Sequence, residues 1–121
     1  MYYGTFGTYT YAAGNNLKAR GGINTSAWFD QTSSLFTVPF DCFLKISVNG
    51  IMQQTTTKEV DLWVARNGSS IYQLCYLTPI TNVFLSGSGF HILSCTAGQT
   101  FSIKVKTACN IYESNCCFEI R

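Results

Sequence analysis

EVDLWVARNGSSIY, residues 59–72, decides the fold class. Val60, Leu62 and Val64 fall on one side of an extended chain, and Glu59, Asp61 and Trp63 on the other. That follows from strand geometry, in which successive side chains point to opposite faces. Asn67-Gly68 then supplies the residue pair that a tight two-residue hairpin turn prefers. Ile71 and Tyr72 open the return strand. The stretch is therefore a β-hairpin with one apolar face.

The same period spreads outward from this hairpin. In CFLKISVN, residues 42–49, Cys42, Leu44, Ile46 and Val48 alternate with Phe43, Lys45, Ser47 and Asn49. FSIKVK (101–106) sets Phe101, Ile103 and Val105 against Ser102, Lys104 and Lys106. CCFEIR (116–121) sets Cys116, Phe118 and Ile120 against Cys117, Glu119 and Arg121. Ala27 to Gln31 reads as a short edge strand, and Ser34 to Val38 as another that Pro39 ends by removing a ladder donor. Asn49-Gly50, Gly87-Ser88-Gly89 and Ala97-Gly98 read as turns. Gln53 to Lys58 and Thr78 to Ser88 read as loops. The sum is eight or nine short strands and no helix. Such a pattern predicts an all-β fold, a single antiparallel jelly-roll sandwich over residues 26–121. Few charges guard its edge strands, so oligomerisation is the natural way to cover them.

Residues 1–25 read differently. They are rich in Gly, Tyr, Thr, Ala and Asn and keep no sustained period. Tyr2, Tyr3, Phe6, Tyr9 and Tyr11 make the segment too aromatic for a solvated tail. It is expected to be an extended arm that orders against a partner. Its deletion is then expected to leave the domain folded.

Composition removes several functions. The chain has 121 residues, 12% charged and 15% aromatic, with a formal net charge of +2. Its eight cations are scattered, which argues against nucleic acid, since phosphate contacts need a basic cluster. No apolar run approaches the ~20 residues of a helical membrane span. Met1 is followed by aromatic and polar residues, without the basic and apolar regions of a secretory leader. That reads as cytosolic synthesis and use, or as a leader already removed. Six cysteines, at 42, 75, 95, 109, 116 and 117, allow fifteen disulfide pairings. Equally, they serve as small buried hydrophobes in a reducing compartment. The missing leader favours mostly free thiols. Cys116 and Cys117, on opposite faces of one strand, are poor partners for each other. No short paired ligand spacing suggests zinc, and no cofactor motif occurs.

Enzyme chemistry is not expected. Asp30, Asp41, Glu59, Asp61, Glu113 and Glu119 mostly alternate with apolar residues, as a solvated face would. The lone histidine, His91, has no nucleophile signature beside it. Asn24-Thr25-Ser26 and Asn67-Gly68-Ser69 match the glycosylation sequon, a pattern common by chance. Trp28, Trp63, Tyr72 and Tyr76 could stack on a sugar, although core or subunit packing uses the same residue types.

Four stretches resemble the tumour-necrosis-factor-like jelly roll, also found in the globular head of the first complement component. They are FTVPFDCFLKISVNG, DLWVARNGSSI, HILSCTAGQTFSIKV and the closing CCFEIR. The resemblance covers most of the chain from Phe36 to Arg121. It implies a homotrimer closed by apolar and aromatic outer residues, with Phe43 and Trp63 as the candidate interface aromatics. It further implies a virion structural protein, a capsid-decoration protein whose arm contacts a major capsid or other virion protein after assembly in the host cytoplasm. The alternatives are a receptor- or glycan-binding tip module, and a penton or minor capsid subunit of the same fold.

Overall fold

The computed structural model describes residues 1–6, 9–18, 21–24, 28–53, 59–78 and 85–121. These form eleven strands: β1 (Tyr2–Phe6), β2 (Tyr9–Tyr11), β3 (Gly21–Asn24), β4 (Phe29–Asp30), β5 (Leu35–Thr37), β6 (Cys42–Gln53), β7 (Val60–Arg66), β8 (Ser69–Leu77), β9 (Leu85–Cys95), β10 (Thr100–Val105) and β11 (Cys109–Ile120). Among the described residues there is no helix. Two antiparallel sheets form a sandwich. The first runs β3-β1-β11-β6-β9, with β2 also on β11, and the second runs β4-β5-β10-β7-β8. Eight strands, β4 to β11, account for the chain from residue 26 onward.

The alternating residues meet between the sheets. Leu44, Ile46 and Val48 of β6 are buried, as are Leu62 and Val64 of β7 and Phe101, Ile103 and Val105 of β10. Phe118 of β11 crosses the gap between the layers. It stacks on Phe36 of β5 at 5.5 Å and lies 5.3 Å from Phe29 of β4. Aromatic pairs at such distances add to what area burial alone supplies. The hairpin at Asn67-Gly68 forms as its sequence dictates, with φ of 50° and 86° at its two central residues. Gly98, at φ 88°, completes the turn from β9 to β10.

Two expected turns are instead strand. Asn49-Gly50 lies inside β6, where the pairing with β9 slips between Val48 and Ile51 and that with β11 slips nearby. The dipeptide is spent on a bulge. Gly87-Ser88-Gly89 lies inside β9. There, a Cβ on Gly89 would come within 1.8 Å of the Leu74 carbonyl oxygen. The missing side chain lets β8 of one sheet close against β9 of the other, which is a packing role. Residues 54–58 and 79–84, within the two expected loops, lie outside the described residues.

The largest departure is at the N-terminus. The described residues of the segment 1–25, read as a separate arm, contribute to both layers of the sandwich. β1 pairs with β11 and β3, and β2 pairs with the beginning of β11. The chain then crosses to the other sheet. Gly14 and Leu17 donate backbone hydrogen bonds to Val105 and Ile103 of β10, each at 2.7 Å. Tyr11 and Leu17 are buried in the core. Polar, glycine-rich sequence can do this because its partners are the backbone edges of β11 and β10, which ask for no side-chain period. Deleting residues 1–25 would therefore strip strands from the first sheet and open the core.

Candidate functional site

Each sheet has one face in the core and one turned outward, and the two outward faces differ in chemistry. On the first sheet, Phe43, Phe90 and Ile92 stand 57%, 64% and 47% exposed. The register places them together. Phe43 pairs with Ser94, Lys45 with Ile92, and Ser47 with Phe90. Lys45 extends its ammonium over the Phe90 ring, 5.1 Å from the centroid, a weak attraction at an exposed site. Across β6, Lys45 faces Glu119 and Ser47 faces Cys117 in register. Glu119 also pairs with Arg121 at 3.4 Å. The result is an apolar patch with a small charged border.

On the second sheet, the outward groups are tied to one another. The Trp63 indole N–H donates to an Asp61 carboxylate oxygen at 2.8 Å, and the Gln73 amide donates to the same oxygen at 2.9 Å. Lys106 covers the Trp63 ring at 4.4 Å. Glu59 accepts hydrogen bonds from the Tyr76 and Thr107 hydroxyls. Those bonds hold the Glu59 carboxyl below its ordinary value. The bond to Glu59 raises the Tyr76 phenol, with burial adding to the shift. This face is polar and internally satisfied. At the edge where the sheets meet, the Tyr72 and His91 rings stack at 4.1 Å. An open polar groove of about 410 Å³ lies between residues 15–18 and residues 31–34.

The candidate residues of the sequence reading scatter over this framework. Tyr2, Tyr3 and Phe6 are in β1, and Tyr9 and Tyr11 in β2. Tyr11 is buried, and its hydroxyl accepts a hydrogen bond from the Lys18 backbone N–H at 3.1 Å. Phe43 sits on the apolar outer face. Trp63 sits on the opposite outer face of the sandwich, so the structure does not bring these two together. Phe90 and Ile92 were not singled out from the sequence, yet they carry most of the patch. A signal was present in FHILSC. Phe90 and Ile92 alternate with His91, Leu93 and Cys95, so both faces of that strand are largely apolar. One face fills the core, which leaves the other for a different surface.

No protein-family model matches the sequence, and no curated protein does. Solved structures match in fold. The globular domain of the zebrafish complement 1qA protein superimposes with a TM-score of 0.77, covering 95% of this chain and 92% of that one at 11% identity. Eiger TNF from S. frugiperda gives 0.63, covering 98% and 90% at 9% identity. Rabbit GITRL gives 0.51, covering 98% and 94% at 10% identity. At these identities the likeness is one of fold. It is the tumour-necrosis-factor-like jelly roll that the four sequence stretches resemble.

Proposed function

We propose, proceeding from the tumour-necrosis-factor-like jelly roll that this chain adopts, that it is a homotrimeric structural module acting by docking rather than by catalysis. The exposed Phe43, Phe90 and Ile92 on the outer face of the first sheet carry this reading. Three large apolar side chains gathered on one face lose contact with water when another copy covers them, at roughly 25 cal/mol per Å² buried. A second copy is the occupant that the fold's own assembly habit supplies. The working place we propose is a virion shell, with the trimer as a decoration protein. A chain with only 12% charged residues suits lasting apolar contacts better than salt-sensitive ones.

Light scattering on the purified protein tests the assembly. The expected mass is about three times 13.4 kDa at micromolar concentration. A monomer across the accessible range overturns the reading. A glycan- or receptor-binding tip is the second reading. It is favoured by the pre-arranged Trp63, Asp61, Gln73 and Tyr76 group, since aromatic rings beside fixed acceptors suit a sugar. A small sugar panel separates the two, because the decoration role needs no sugar.

A further inference from the structure

We propose that Cys42 and Cys95 are a cross-strand dithiol that closes to a disulfide when the protein meets an oxidising thiol–disulfide pool. The inference stands apart from the trimer reading. Its ground is register: Cys42, the first residue of β6, lies directly opposite Cys95, the last residue of β9. Both occupy the inward face, in line with buried Leu44 and Leu93. Directly opposed residues in antiparallel strands have Cα atoms about 4.5–5.5 Å apart. A disulfide spans Cα separations of about 4.4–6.8 Å. Both cysteines sit at strand ends, where the backbone can adjust to the bond.

No other two cysteines are so placed. Cys116 and Cys117 point to opposite faces of β11. Cys116 faces Val48 and Gly4, Cys117 faces Ser47 and Tyr3, and Cys109 faces Tyr11. Cys75 faces Leu62 in the second sheet. None of the six cysteines is in a disulfide in this structure, which is the reduced state of the pair.

The two thiols are unequal. Burial, with the nearby Cys42 adding to it, pushes the Cys95 thiol up to about 11. Cys42 is only partly buried, so the reaction begins there. With glutathione disulfide as oxidant, the Cys42 thiolate attacks one sulfur and forms a mixed disulfide. The first glutathione leaves as a thiolate and takes up a proton. Cys95 then loses its proton and attacks the Cys42 sulfur, forming the protein disulfide and displacing the second glutathione. Two protein thiols are oxidised, and one glutathione disulfide is reduced to two glutathiones.

The bond would pin a particular place. Just beyond Cys95, the chain turns through residues 96–99 to reach the second sheet, and the Ala97 N–H donates to Asp41 beside Cys42. β6 and β9 are also the strands that carry Phe43, Phe90 and Ile92. Closure would therefore stiffen both the inter-sheet turn and the apolar face, while a reducing compartment would leave them unlatched.

The test compares protein equilibrated in excess glutathione disulfide with protein held in reduced glutathione. Free thiols are then alkylated under denaturing conditions, and the peptides are read by mass spectrometry. Two fewer of the six thiols should be alkylated in the oxidised sample. The missing pair should appear as a linked peptide joining Cys42 to Cys95. The melting temperature should rise by roughly 10 °C, because the bond closes a loop of about fifty residues. Cys42→Val should abolish both the linked peptide and the rise. Six alkylated thiols after oxidation, or a disulfide joining any other pair, overturns the proposal. The wild-type peptide map decides the matter even if the variant fails to fold.

Discussion

The two outer faces are built on the same period and end with opposite properties. On β6 and β9 the outward aromatics Phe43 and Phe90 stand more than half exposed, with the Lys45 ammonium over the Phe90 ring. On β7 the outward aromatic, Trp63, is bonded to Asp61 and roofed by Lys106. The second sheet gains further cover from the N-terminal chain, where Asn16 accepts a hydrogen bond from buried Ser102 at 3.0 Å. Alternation thus fixes which residues leave the core and says nothing of what meets them outside. A face whose aromatics have intramolecular partners suits contact with solvent. One whose aromatics stand largely exposed is suited to a second molecule.

The sharpest way to break this comparison is to place a charge in the unsatisfied face. Phe90→Asp should leave the monomer folded, because Phe90 is largely exposed there. It should weaken self-association by a hundredfold or more, about 3 kcal/mol, since a carboxylate that must give up water replaces an apolar anchor. Sedimentation velocity reads the outcome, and an undisturbed trimer would exclude this face from the interface.

Trp63→Ala puts the matching question to the other face. Its effect should fall on folding rather than assembly. Loss of the half-buried ring, of its bond to Asp61 and of its contact with Lys106 should cost about 1–2 kcal/mol in a urea melt. The oligomer should persist. A mutant that folds normally but dissociates would reverse the roles assigned to the two sheets.

How much of this was legible in the sequence depends on whether a feature is local. The Asn67-Gly68 hairpin was legible because the dipeptide and both flanking strands lie in one short stretch. The same dipeptide at 49–50 misled. Whether Asn-Gly turns the chain or bulges it depends on β9 and β11, which run along both sides of β6 beyond that point. Gly89 looked like a turn residue because sequence cannot reveal that the Leu74 carbonyl presses against it. The segment 1–25 has no period of its own. Its place in the sheets comes from β11 and β10, far along the chain. The apolar patch was half legible: Phe43 stood out, while Phe90 and Ile92 needed the register to bring them beside it.

The smallest expected effect lies on the satisfied face, and its signature is pH. The hydroxyls of Tyr76 and Thr107 hold the Glu59 carboxyl below the ordinary glutamate value of about 4.5. A carboxyl depressed in the folded state adds stability that is fully present above its unfolded value. That stability is lost as pH falls through the folded value. Tyr76 sets the other limit. Its raised phenol keeps the bond below the ordinary tyrosine value of about 10, and the contribution fades as pH rises beyond it. Glu59→Gln preserves the shape and removes the charge. The mutant should therefore melt slightly below wild type at pH 6 to 8, and the gap should narrow as pH falls below about 4.5. A gap that stays constant from pH 3 to 8 would mean that the carboxylate charge has no part in satisfying this face, and the contrast between the two sheets would then rest on Trp63 and Asp61 alone.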